Sequence, residues 1–145
     1  MTVAIINTDM NIGPFKIPGN GQNMIMNNYA ERNKMIVEEI IPEPFKSNEL
    51  VTTQWVHKKK ELKKVILCSI HQLPQKKNRM DDLISSMSEV EFHFALENIF
   101  GKGKKFLLEC KREAEIFKNA KILDSENISW SELYEIKTQK NNNIR

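Results

Sequence analysis

The stretch Val65-Ile66-Leu67-Cys68-Ser69-Ile70 is apolar on both of its alternating sides apart from Ser69. A strand with that pattern offers water neither face, so it belongs in the middle of a sheet covered on both sides, which is the usual setting of parallel strands. It runs into a polar turn, His71-Gln72, closed by Leu73-Pro74. Around this run, short β-rich segments alternate with longer amphipathic ones, the pattern of repeated strand-helix units. The expectation is an α/β fold: one doubly wound domain over residues 1–137, with a mostly parallel four-stranded sheet and helices on both faces. Val65–Ile70 is its central strand.

The other elements follow from spacing. Thr2–Asn7 makes the first strand, and a loop through Gly13, Pro14, Pro18 and Gly21 leads to a helix from Gln22 to Asn33 with Met26, Tyr29 and Ala30 inward. Met35–Ile41 makes the second strand, stopped by Pro42 and Pro44. A helix opens after Ser47, whose hydroxyl can accept from free backbone N–H groups, and buries Val51, Trp55 and Leu62. Met80, Leu83, Ile84 and Met87 form one apolar stripe at three-four spacing. Glu91–Glu97 alternates, with Phe92, Phe94 and Leu96 on one side and Glu91, His93, Ala95 and Glu97 on the other, as an edge strand does. The Gly101-Lys102-Gly103 turn leads to a helix over Lys104–Ala120, striped by Phe106, Leu107, Cys110, Ala114 and Phe117. Ser129-Trp130-Ser131-Glu132 has capping-box spacing for a last short helix. The polar tail 138–145 is expected to be disordered.

At 145 residues with 40% hydrophobic and 28% charged content, the chain supports one packed core. Its 22 basic and 19 acidic residues leave a net charge of +3, which argues against a dedicated nucleic-acid binder. Two cysteines in apolar surroundings suggest neither a disulfide framework nor a metal site, and fit a reducing cytoplasm. Three scattered histidines, His57, His71 and His93, do not make a metal centre. No membrane span or export signal is expected. The lysines from Lys58 to Lys64 read as a solvated face.

Ligands of open α/β sheets bind outside the carboxyl ends of the strands. Four loops gather there, carrying Asn7 and Asp9 with Lys16 to Asn23, then Glu43 and Lys46, the Ser69-His71-Gln72 turn, and Glu97 with Asn98. Lys16, Gln22 and Asn23 beside a helix start suit hydroxyls or a phosphate; the competing reading is that Asn20 or Asn23 only caps the helix. The glycines match neither a dinucleotide fingerprint nor a P-loop, so no cofactor is expected. His71 stands where an imidazole can move a proton, or simply bond the loop. Glu97 ends the neighbouring strand and can orient His71 or hold a cation such as Lys16 or Arg79. Ser69 lacks a nucleophile elbow. The candidate set is therefore His71 and Glu97 for catalysis, with Lys16, Gln22, Asn23, Ser69, Gln72 and Arg79 for substrate.

Three segments carry a family resemblance. Lys16-Ile17-Pro18 with Gln22-Asn23 and Tyr29-Ala30-Glu31-Arg32-Asn33, then Val65–Pro74, then Glu91-Phe92-His93-Phe94-Ala95-Leu96-Glu97, together resemble the small "sporadic carbohydrate cluster" proteins across residues 16–100. Members of that family occur among genes for bacterial surface polysaccharides. The resemblance implies a role in making or modifying a sugar and carries no assigned reaction. Lys16 stands where that family usually has arginine, and Asn7-Thr8-Asp9-Met10 replaces its tyrosine, serine-serine and arginine run. The element order also resembles the catalytic domain of serine recombinases, without the serine and arginine cluster that their DNA cleavage needs. A flavodoxin-like or resolvase-like sheet follows from either likeness. The implied partner is a sugar or nucleotide-sugar, bound by an enzyme or by an accessory subunit of a pathway enzyme.

Overall fold

The computed structural model describes residues 1–43 and 49–123, with side chains through residue 119. The chain divides into two units, Met1–Ala114 and Glu115–Arg145. The described part of the second, residues 115–123, continues the last helix. Lys46, Ser47, the expected helix near Ser129 and the tail lie outside the described residues.

The elements are β1 (Thr2–Asn7), β2 (Asn11–Ile12), β3 (Phe15–Lys16), α1 (Gly19–Arg32), β4 (Glu39–Glu43), α2 (Val51–Lys59), β5 (Lys64–Leu67), a 3-10 turn (Ile70–Gln72), α3 (Lys77–Ser86), β6 (Glu91–Phe94), β7 (Ile99–Gly101) and α4 (Lys104–Leu123). The main sheet has the order β4-β1-β5-β6-β7, and β2 and β3 form a separate two-stranded ribbon. Strands β4, β1, β5 and β6 are parallel, while β7 runs antiparallel to β6. The mostly parallel α/β architecture is thus as the sequence predicts, and the doubly apolar run is its central strand: Val65, Ile66, Leu67 and Cys68 are all buried.

Alternation splits the core between the sheet faces. Val3, Ile5, Ile41, Val65, Leu67, Phe92 and Phe94 pack with Leu50, with Met80, Leu83 and Met87 around α3, and with Leu107 and Cys110 of α4. On the other face Ala4, Ile66 and Ala95 meet Met26, Tyr29 and Ala30 of α1, joined by Ile12 and Ile17 from the ribbon and its exit. Each fully buried aliphatic or aromatic side chain contributes about 1.5–3 kcal/mol relative to exposure.

Several sequence expectations need correction. The sheet has five strands, because the fourth ends at Phe94 and the chain turns back through Asn98, held at φ +55 with its N–H on the Ala95 carbonyl at 3.2 Å. Asparagine tolerates that left-handed backbone better than most residues. β6 is therefore not an edge strand: β7 covers its open side, and His93 is only 4% exposed. The second strand is Glu39–Glu43, so Pro42 sits inside it rather than stopping it, which an outermost strand allows because the sheet pairs only one of its sides.

α1 opens three residues earlier than its apolar pattern suggests. Its N-cap is Pro18, and the Asn20 side chain accepts from Gly21 N–H at 2.9 Å instead of capping the helix. α2 buries Thr53, while Val51 and Trp55 are 49% and 60% exposed. It lies on β4 at the sheet edge, where only a narrow strip of helix can be covered. Lys59 reaches over the Trp55 ring at 5.7 Å and Lys60 pairs with Glu39 at 2.7 Å. Among the described residues no helix is long and apolar enough to cross a membrane.

Candidate functional site

Strand order fixes where side chains converge. From β1 the chain passes to α1 on one face and then outward to β4; from β5 it passes to α3 on the opposite face and outward to β6. The carboxyl ends of β1 and β5 therefore flank the point where the winding reverses, the place where open α/β sheets hold ligands.

A buried polar network occupies that point. Asn7, the last residue of β1, donates its N–H to Gln22 Oε1 at 2.8 Å and accepts from Gln22 Nε2 at 3.0 Å. The side-chain amide of α1 thereby acts like a neighbouring strand residue, and its second N–H reaches the Ile17 carbonyl at 2.8 Å. Asn7 Nδ2 donates to the Asn11 carbonyl at 2.7 Å, and Asn7 Oδ1 accepts from Gln72 Nε2 at 3.1 Å. Gln72 Oε1 takes the N–H groups of Cys68 at 2.7 Å and Ser69 at 3.2 Å. Ser69 caps the 3-10 turn by accepting from His71 N–H at 3.2 Å, and donates its hydroxyl to Glu97 Oε2 at 2.8 Å. Glu97 Oε1 accepts from Ile70 N–H at 2.9 Å. The path runs unbroken from Ile17 through Gln22, Asn7, Gln72 and Ser69 to Glu97, and Asn7, Gln22, Ser69 and Gln72 are all 0% exposed.

The remaining candidates separate into those beside this floor and those elsewhere. His71 is half-buried, with the Phe15 ring edge-on at 5.5 Å. Gly13, at φ +59, lies so close that a Cβ there would fall 2.5 Å from His71 Cβ. The ribbon thus rests on His71 and presents Lys16, which is exposed. Asn23 is half-buried, and its Oδ1 is the one buried side-chain polar atom among the described residues without a hydrogen-bond partner. Arg79 pairs with Glu49 at 3.5 Å on α3, away from the network's hydrogen bonds.

The Cys68 thiol sits where burial keeps it protonated, a poor setting for a nucleophile. Burial, with Glu97 adding to it, pushes the Cys68 thiol up to about 12, and its Sγ donates to the Gln22 carbonyl at 3.5 Å. At the end of β4, Glu43 is 1% exposed and accepts from Thr53 N–H at 2.8 Å and Thr53 Oγ1 at 2.6 Å. Burial raises its carboxyl above the ordinary range, and the threonine hydrogen bonds oppose that shift. Thr8 donates both its N–H and its hydroxyl to the Glu43 carbonyl. No group of three or more metal-ligating side chains occurs among the described residues.

Two features carry little signal in the sequence. Asn7 is the hub of the strand-end network, and its signal was the bare polar residue ending an apolar strand. A second set, buried Tyr29 and His93 with half-buried Glu91, depends on β7 covering β6, which the local sequence pattern does not announce. Tyr29 OH lies 2.7 Å from His93 Nδ1, and His93 Nε2 lies 2.6 Å from Glu91 Oε1.

The fold is similar to that in the crystal structure of the N-terminal catalytic domain of TP901-1 integrase, with a TM-score of 0.52 and 15% identity, covering 86% of this chain and 100% of that one. At that identity the likeness concerns the fold and not the chemistry. No curated protein sequence matches the chain. No protein-family model matches it either, so the resemblance to sporadic carbohydrate cluster proteins has no independent support, while the weaker serine-recombinase resemblance is matched at the level of the fold.

Proposed function

We propose that this protein binds a small polyhydroxylated ligand, a sugar or nucleotide-sugar, at the carboxyl ends of β1 and β5, and serves bacterial surface-carbohydrate biosynthesis. One observation carries the reading: four fully buried polar side chains, Asn7, Gln22, Ser69 and Gln72, join two strands and two opposed connections at the winding reversal. A core position filled by connected amides fixes loop geometry to a degree that apolar packing does not. In this reading Gln22, Gln72, Ser69 and Glu97 form the rigid floor. Lys16 and Asn23 hold the ligand, and His71 transfers a proton if the protein is an enzyme. Arg79 drops out of the set because Glu49 engages it. The sequence resemblance across residues 16–100 supplies the carbohydrate setting.

The test is a thermal-shift panel of nucleotides, nucleotide-sugars and sugar phosphates, since a ligand bound by the folded state alone raises the melting temperature. Stabilisation by one sugar class that is lost in Lys16→Ala or Asn23→Ala supports the site, and full turnover by His71→Ala removes His71 from catalysis. A flat response, with a pathway enzyme co-purifying, favours the accessory-subunit alternative.

The integrase-like fold favours a second reading, nucleic-acid binding, which a net charge of +3 does not exclude. Strand cleavage does not follow, because the serine and arginine cluster it needs is missing from the sequence. A short duplex in the same panel decides it: binding there falls steeply with salt.

A further inference from the structure

Helix α1 is fastened to the sheet at two polar points on one face, seven residues apart. Gln22 holds Asn7 at the strand end, and Tyr29 holds His93 nearer the helix end. We infer that the Tyr29–His93–Glu91 chain is a pH-sensitive fastening of α1, intact with neutral His93 and released when His93 takes a proton. The fastening rests on the geometry and surroundings of His93; its effect on ligand rests on the site reading above.

The carboxylate of Glu91 only accepts, so His93 Nε2 carries the hydrogen and Nδ1 of the neutral ring is left as an acceptor. Tyr29 OH then donates to Nδ1, and every polar atom of the chain is satisfied. Protonated His93 has hydrogens on both nitrogens. Nδ1–H must donate to the tyrosine oxygen, and the phenol hydrogen then needs a new acceptor at a residue that is 1% exposed. An unpaired buried hydroxyl is costly, so the Tyr29–His93 link opens, while the charged ring keeps its bond to the Glu91 carboxylate.

The surroundings set the balance. Burial pulls the His93 pKa below its ordinary value, the Glu91 hydrogen bond and charge from its own strand push it up, and Lys64 on β5 pulls it down. From α1, Tyr29 itself is raised by burial and by Glu91, with Arg32 opposing. On the β7 side the ring stacks on uncharged Phe100 at 5.1 Å and 12°. Burial prevails over Glu91 because the imidazole side chain is 6% exposed while the carboxylate is 33% exposed and partly screened by water. Folded His93 therefore resists a proton that the unfolded chain accepts near pH 6.5, and stability is lost as pH falls below that value.

The experiment is histidine-ring and methyl NMR of the full chain between about pH 5 and 8. The expected result is a neutral His93 protonated on Nε2 near pH 7, a titration midpoint below 6.5, and Met26 and Ala30 methyl shifts that follow the same midpoint. In Glu91→Gln, a half-exposed change that leaves the core intact, the midpoint drops further. In Tyr29→Phe, His93 still titrates and the methyl response disappears. A ring protonated on Nδ1, a midpoint at or above 6.5, or methyls unmoved while His93 titrates would each overturn the inference, and so would a ring that stays neutral at every pH where the chain is folded. Where a ligand from the panel binds, its thermal shift falls with the His93 midpoint. If none binds at any pH while the methyls follow His93, the site reading fails and the fastening stands.

Discussion

The two faces of the sheet are held by different physics. On one, Val3, Ile5, Val65, Leu67, Phe92 and Phe94 meet α3 and α4 through apolar contact. On the other, the α1 face, the apolar cluster is smaller and is accompanied by buried Gln22 and His93, with hydrogen bonds from α1 to β1 and to β6. Apolar contact is non-directional and tolerates repacking; a buried hydrogen-bonded amide or imidazole accepts one placement and penalises others. The first face mainly supplies stability. The second fixes where α1, and with it the strand-end site, must lie.

The sharpest way to break this contrast is to cut one group from each face. Phe92→Ala should cost about 3–5 kcal/mol in urea unfolding, as truncation of a buried aromatic does, while leaving any ligand preference of the folded fraction unchanged. Gln22→Leu should cost at least about 3 kcal/mol, because Asn7 N–H and the Asn7 and Ile17 carbonyls each lose a buried partner at roughly 1–3 kcal/mol. Unlike Phe92→Ala, it should also abolish ligand-induced stabilisation. If both variants lose only stability, the division between the faces fails.

Smaller effects sharpen it. Thr53→Val removes a hydroxyl donor from the buried Glu43 carboxylate and should cost about 2 kcal/mol near neutral pH. Folded Glu43 has a raised pKa, so it holds a proton that the unfolded chain releases near 4.5, and stability falls as pH rises from 4.5 to the folded value. Removing the donor raises that folded value further and widens the window of loss, which pH-dependent melting measures. Trp55→Ala should change stability by no more than about 0.5 kcal/mol, since the ring is 60% exposed.

The parts legible in sequence were those with strong periodicity. The doubly apolar Val65–Cys68 run identified the central strand, and the Met80, Leu83 and Met87 stripe and the Met26, Tyr29 and Ala30 face identified α3 and α1. The errors have local causes. Trp55 reads as core because large aromatics usually are, but a helix at a sheet edge lacks a surface wide enough to cover it. His93 reads as solvent-facing because alternation places it opposite Phe92 and Phe94, and nothing local announces that Ile99–Gly101 folds back to cover that side. Of the site residues, Gln22, Ser69, Gln72 and Glu97 come together, though as a mutually bonded floor; the amide and hydroxyl types were legible, their mutual bonding was not.

Periodicity and residue type act over a few neighbours along the chain, and that is enough to set the α/β class, the central strand and the loops that gather polar residues at the strand ends. That Gln22 completes the pairing of Asn7, that Gln72 bridges β1 to the turn after β5, and that His93 lies between Tyr29 and Glu91 depends on how the strands are ordered in space. The first two of these contacts join residues 15 and 65 positions apart, and Tyr29 lies 64 positions from His93. Such contacts form only when the strand order has brought those segments together.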